Sequence, residues 1–217
     1  MQNPRDSRPF VIGIAGGSAS GKTTFAKRVA HEAGQSRATV VAMDRFYLSK
    51  ADRLERGLDN YDHPSAIDFS LLQDVMQTLR AGKSASVPIY DFANHDRTGF
   101  ETVLASQCVI LEGILALWDA KIRSLINFAV YIEVADDVRL DRRLKRDMRE
   151  RGRDRQSIES QWNGSVIPMH TQYVARTKSY ADHVIDGDCS FDTSAQLLWK
   201  SLHANPHRSN PSNETCD

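Results

Sequence analysis

The 217-residue sequence has no excess of either charge: 28 Lys and Arg stand against 28 Asp and Glu. A chain that gathers nucleic acid through bulk charge carries a basic surplus, so this balance argues against that kind of partner. Cysteine is scarce, with Cys108, Cys189 and Cys216 alone. Their odd number argues against a disulfide framework, and their separations match no zinc-ligand spacing. A reduced, cytoplasmic setting is the expectation. No apolar run reaches the ~18 residues that a membrane span needs. Residues 1–9 carry charges and two prolines where a signal peptide has its apolar core. There is no internal repeat. Residues 1–9 are expected to be a disordered lead and the polar, proline-broken residues 204–217 a disordered tail. Residues 10–203 are then a single domain.

What is present alternates. Five short apolar runs, Phe10–Ile14, Ala38–Met43, Cys108–Leu111, Phe128–Val134 and Ala181–Ile185, are β-branched and mostly continuous, as strands covered on both faces are. Helical periodicity fills the gaps. Leu71, Val75 and Leu79 share a face with Leu72 and Met76 beside it, behind a capping box of Ser70 and Gln73. Leu140, Leu144 and Met148 recur at intervals of four. Strands alternating with helices predict an α/β fold around a largely parallel five-stranded sheet.

The first strand runs into Gly16-Gly17-Ser18-Ala19-Ser20-Gly21-Lys22-Thr23, followed by Thr24 and an amphipathic stretch that Gly34 can end. Strand, then G-x-x-x-x-G-K-S/T, then helix is the order of a phosphate-binding loop. Small residues let successive N–H groups curl around phosphate oxygens, and the helix N-terminus adds positive potential. Lys22 can reach the β- and γ-phosphates, and the Thr23 hydroxyl can ligate Mg²⁺. Two acids, Asp44 and Glu112, close the second and third apolar runs, where an α/β sheet places its chemistry. Asp96-Arg97-Thr98-Gly99 matches a GTPase switch pattern but follows no apolar strand, and there is no N-K-x-D guanine reader. A small-molecule kinase is the remaining class, which needs an acceptor pocket and a basic lid.

Residues 139–155 supply the lid candidate, with nine Lys/Arg against four acids. A solvated helix face accounts for Arg139, Lys145, Arg149 and Arg155. Other arginines in the run can spread over a transferring phosphoryl group, and Gly152 lets the segment bend. The acceptor pocket is expected from two aromatic, hydrogen-bonding loops, Asn60–Pro64 and Pro88–Arg97.

These motifs, with Met43-Asp-Arg-Phe-Tyr47, Asn60-Tyr-Asp-His-Pro-Ser-Ala66, Pro88-Ile-Tyr-Asp-Phe92, Leu111-Glu-Gly-Ile-Leu115, Arg142-Arg-Leu-Lys-Arg-Asp147, Glu150-Arg-Gly-Arg153, Pro168-Met169 and Lys178-Ser-Tyr-Ala-Asp182, resemble the uridine–cytidine kinases over about residues 10 to 186. The resemblance implies a P-loop kinase fold with a lid and a nucleoside-binding insertion, and transfer of phosphate from ATP or GTP, with Mg²⁺, to the 5′-hydroxyl of uridine and cytidine. It implies that Asp44 is the general base and that Thr23 and Glu112 hold Mg²⁺. Asp62 and Arg143 would fix the ribose, Tyr90 and His95 the pyrimidine, and Arg153 and Gln161 the substrate side, with Arg97 and Tyr47 further pocket members. Lys22, Arg146 and Arg151 would serve the triphosphate. The family is typically homotetrameric. Related kinases of phosphoribulose, pantothenate or nicotinamide riboside share Lys22, Thr23 and the acid at 44 but not the Tyr90/His95 pair. The family's Pro-Arg-Gly turn after Asp182 is here Val184-Ile-Asp-Gly-Asp-Cys189, which leaves the donor preference open.

Overall fold

The computed structural model describes residues 8–34 and 36–204. The expected lead and tail fall outside the described residues except at 8, 9 and 204. Strand β1 (Phe10–Gly16) leads into helix α1 (Lys22–Ala33) and strand β2 (Ala38–Ala42). A 3₁₀ turn (Met43–Phe46), a short helix α2 (Lys50–Glu55) and helix α3 (Phe69–Arg80) follow. Strands β3 (Ala85–Asp91) and β4 (Asp96–Val103) precede β5 (Cys108–Glu112), α4 (Ala120–Arg123) and β6 (Phe128–Glu133). Helix α5 (Asp136–Arg151) turns at Gly152 into α6 (Arg155–Gln161). The chain stays helical to Tyr180, through π turns at Trp162–Val166 and His170–Val174 around the short α7 (Ile167–Met169). Strand β7 (His183–Asp186) and helix α8 (Phe191–Ala204) complete the described chain.

Five strands form one parallel sheet in the order β2-β5-β1-β6-β7. The continuous apolar runs have their reason here, because both faces of the sheet are covered. On β1, Val11 and Ala15 face a layer with Leu72, Leu79 and Leu111, while Ile12 and Ile14 face Phe25, Val29 and Leu198. Burying each large apolar side chain contributes about 2 kcal/mol before conformational entropy is subtracted. Parallel register brings Ile14, Ala42 and Glu112 level. The phosphate loop, the turn bearing Asp44 and the carboxylate of Glu112 therefore share one carboxyl edge.

Three local expectations are corrected. Helix α3 is capped by Asp68, whose carboxylate accepts from the Leu71 amide at 3.0 Å, and not by a Ser70–Gln73 box. The Pro88–Arg97 segment is not one irregular loop. It is the turn end of an antiparallel β3–β4 hairpin, with a bulge at Ile89/Tyr90 and a tight turn at 92–95. Helix α5 does not bury Leu140, Leu144 and Met148 as a stripe: Met148 is 50% exposed, and the buried residues are Arg139, Arg143 and Asp147. That helix lies against the phosphate loop, whose polar backbone is matched by guanidinium groups and not by leucine.

Candidate active site

The phosphate loop is shaped by residues held to unusual backbone angles or to close contacts. Gly21 has φ 92°, and a Cβ there would sit 2.6 Å from the Phe191 ring. At Gly17 a Cβ would collide with the guanidinium of Arg139. Ala19 also takes a left-handed backbone, with φ 63°. Helix α1 begins at Lys22 with no side-chain cap, so its first amides stay available to an anion. Ser18, Lys22 and Thr23 face the adjoining cleft, whereas Gly16, Gly17, Ala19, Ser20, Gly21 and Thr24 shape or flank the loop without lining it.

The cleft measures about 950 Å³. At one end Lys22 is buried and its Nζ donates to the Gly17 carbonyl at 3.3 Å. Burial pulls the Lys22 pKa down while Glu112 and Asp44 oppose the shift. The Thr23 hydroxyl donates to Glu112 Oε1 at 3.1 Å, and burial raises the Glu112 pKa. Asp44 lines it too, presented by the 3₁₀ turn that β2 enters and within electrostatic reach of Lys22 and Tyr47. Asp62 lines the same cleft, its pKa raised by burial and drawn back by Arg143.

The other end is aromatic. Tyr47, Tyr61, Tyr90, Phe92 and His95 form a connected wall, with Tyr47 5.5 Å from both Tyr61 and Tyr90 and Tyr61 4.9 Å from His95, centroid to centroid. Tyr90 and His95 come from the hairpin, and His95 takes φ 55° at its tip. Burial lowers the His95 pKa, aided by Arg53 and Arg151, so the ring is neutral over most of the physiological range. Burial also lifts Tyr90 to about 12.

Arginines roof the cleft. Arg143, Arg146, Arg151 and Arg153 all line it, together with Gln161. Arg143 donates to Ser18 Oγ and to Gln161 Oε1, both at 2.9 Å, and Arg153 donates to the same Gln161 oxygen at 2.7 Å. The lid arginines are thereby tied to the phosphate loop and to α6 at once.

The sequence profile of the Phosphoribulokinase / Uridine kinase family matches residues 11–194. This chain belongs to that family. A uridine kinase of Lactobacillus helveticus is 39% identical to it over 202 residues, which is 91% of this chain and 95% of the relative. A uridine/cytidine kinase of Arabidopsis thaliana is 38% identical over 200 residues, 90% of this chain but 41% of that longer protein. Among solved structures, phosphoribulokinase from Rhodobacter spheroides superposes with a TM-score of 0.60 at 14% identity, over 86% of this chain and 75% of that one. That likeness concerns the fold alone.

Seen as a family site, most residues singled out from sequence converge on one cleft. Glu112 is buried and bonded to the Thr23 hydroxyl without lining the cleft, and Arg97 does not line it either. Its Nε donates to the Tyr47 carbonyl at 2.8 Å, its Nη2 to Phe46 at 3.1 Å, and its guanidinium pairs with Asp68 at 3.2 Å. It pins the hairpin to the turn that carries Asp44. Arg139 is likewise no solvated residue. It is 1% exposed, lies 5.0 Å over the Trp162 ring, pairs with Asp136 and donates to the Ser18 carbonyl at 3.4 Å. Tyr61 and Phe92 fall within the two aromatic segments expected to form the pocket, without individual roles, whereas Arg53 and Asp147 were given none. Of these two only Asp147 carried a usable signal: it stands four residues after Arg143 and four before Arg151, on one helix face.

Proposed function

We propose that this protein transfers a phosphoryl group from ATP to the 5′-hydroxyl of uridine and cytidine, forming UMP and CMP. One observation carries the reading: a single cleft joins the buried Lys22 of a phosphate loop to an aromatic wall containing a neutral histidine, and Asp44 lines it within electrostatic reach of both Lys22 and Tyr47. The aromatic faces suit a planar base, and a neutral imidazole can donate from one nitrogen or accept at the other. His95 can therefore accept from the cytosine amino group or donate to the uracil O4, which gives both nucleosides access.

Phosphoryl transfer needs positioning and charge neutralisation more than covalent help. Asp62 and Arg143 hold the ribose hydroxyls. Asp44 orients the 5′-hydroxyl and accepts its proton as oxygen closes on phosphorus. Lys22 holds the donor's terminal phosphates, and Arg146 and Arg151 take up the charge that spreads over the equatorial oxygens. Gln161 and Arg153 close the substrate side. The paired oxygens of Thr23 and Glu112 are hard donors, as Mg²⁺ requires, and a partly protein-built site completed by phosphate suits that ion. An Mg²⁺ ion held by these two residues would supply charge neutralisation at the donor phosphates. GTP as alternative donor, a homotetrameric assembly and a cytoplasmic location complete the proposal, with no nucleic-acid or membrane partner. No helix among the described residues is long and apolar enough to cross a membrane.

A coupled ADP-release assay across uridine, cytidine, adenosine, pantothenate, ribulose 5-phosphate and nicotinamide riboside tests the reading. Turnover with the two pyrimidine nucleosides and little with the rest is expected. Preferential turnover of ribulose 5-phosphate, pantothenate or nicotinamide riboside would replace it with another acceptor class.

A further inference from the structure

Asp147 is wholly buried, with 0% of its side chain exposed, and it is surrounded by cations. Its Oδ1 accepts from Arg146 Nε at 2.8 Å and lies 3.6 Å from Arg151 Nη1. Its Oδ2 lies 3.5 Å from Arg143 Nε and 3.7 Å from Arg153 Nη1, paired by charge with both, and has no hydrogen-bond partner. The main-chain carbonyl of the same residue accepts from the amides of Gly152 and Arg153, the latter at 3.2 Å, and so sets the left-handed exit of α5. One residue fixes the turn of the lid and touches every arginine in it that lines the cleft.

A buried carboxylate with one unsatisfied oxygen is costly, and it persists where the surrounding structure needs it. The need is visible in which nitrogens it takes. It bonds Nε of Arg146 and faces Nε of Arg143, which has no hydrogen-bond partner of its own, so the inner edge of each guanidinium is turned to the carboxylate; the terminal nitrogens of Arg143 reach Ser18 and Gln161. Four guanidiniums this close repel one another, and a single shared anion holds them together without cancelling their summed charge. We infer that Asp147 is a positioning residue of the phosphoryl-transfer step: it aims the Arg143 and Arg146 guanidiniums at the cleft and keeps Arg151 and Arg153 in register with them. The inference rests on the proposed role of these arginines as the clamp on the transferring group.

The test is a double-mutant cycle in kcat, at saturating ATP and uridine, on the full chain. Asp147→Asn is expected to lower kcat about tenfold to a hundredfold, the scale of a small misplacement at a reacting centre. In the Arg146→Met background the same change should lower kcat by a clearly smaller factor than in the parent, because one of the two guanidiniums that Asp147 aims is already gone. Should Asp147→Asn not fold, Asp147→Glu keeps the charge, displaces it by one methylene, and is read in the same cycle with the same expectation. A merely structural role would lower the melting temperature and leave kcat per folded molecule unchanged. That result, or losses that multiply independently in the double variant, overturns the inference. If Arg146→Met alone leaves kcat intact, the clamp reading fails instead, and the two failures are told apart.

Discussion

The Arg53 guanidinium donates through Nη2 to the main-chain carbonyl of His95 at 3.1 Å and lies 4.1 Å from the centroid of the Tyr61 ring. Residue 53 belongs to α2 and residue 95 to the tip of the hairpin, so one buried cation, 7% exposed, joins two separate pieces of the aromatic wall. It also secures a histidine held at positive φ, a conformation that needs support from its surroundings.

Arg53→Met is therefore expected to raise the uridine KM about tenfold while kcat at saturation and the ATP KM stay within about threefold. A hydrogen bond to a charged group is worth about 1.5–3 kcal/mol, and each 1.4 kcal/mol is a tenfold change in binding. Steady-state kinetics with each substrate varied in turn provides the check. A change confined to ATP would remove the hairpin tip from nucleoside recognition.

Asp44 and Lys22 face the same cleft but should fail differently. Asp44→Asn keeps the shape and removes the proton acceptor, so kcat is expected to fall about 10² or more while ATP binds nearly as before. Lys22→Ala should damage catalysis with every acceptor, because it acts on the donor phosphates. Calorimetric titration with a non-hydrolysable ATP analogue, paired with turnover, separates them. Near-normal turnover in Asp44→Asn would take that carboxylate out of the mechanism.

Legibility from sequence followed the physics of burial. The parallel strands could be read because both of their faces are apolar, and the phosphate loop because its glycines and Lys22 keep a fixed spacing before a helix. The β3–β4 hairpin was hidden because Pro88 interrupts one strand and the other is largely exposed, so neither shows a clean alternation. Helix α5 misled for a different reason. Its inward face is Arg139, Arg143 and Asp147, and buried charge is indistinguishable from a solvated stripe until the partner surface is known. The pairing of Arg97 with Asp68 lay equally beyond reach, since the two belong to separate elements brought together only by the tertiary fold.

Arg97 supplies a test of that last distinction. Its donors are engaged by the Phe46 and Tyr47 carbonyls and by Asp68, so Arg97→Gln should destabilise the protein by about 2 kcal/mol through partners left unpaired. Urea unfolding measures it, and loss of kcat/KM for uridine without loss of stability would mean direct contact with the substrate instead.

His170 gives the protein a pH dependence of known sign. Burial of the ring, with the nearby charges of Arg139 and Lys22 adding to it and Asp136 opposing, draws its pKa down to about 4. Its Nδ1 is buried without a hydrogen-bond partner. In the unfolded chain the same imidazole titrates near 6.5. Its contribution to stability is therefore complete above about pH 6.5. It is lost as pH falls towards 4, because over that window the unfolded chain takes up a proton that the folded one refuses. The slope for one such proton is at most about 1.4 kcal/mol per pH unit, and the ring's partial contact with solvent softens it. Carboxylates and His183 also titrate as the protein is acidified, so the measurement is a difference. Unfolding free energies of the parent and of His170→Gln, followed by urea titration between pH 7 and pH 4.5, should converge as pH falls, with the variant flatter. Parallel curves would show that His170 takes up its proton at the same pH whether the chain is folded or not.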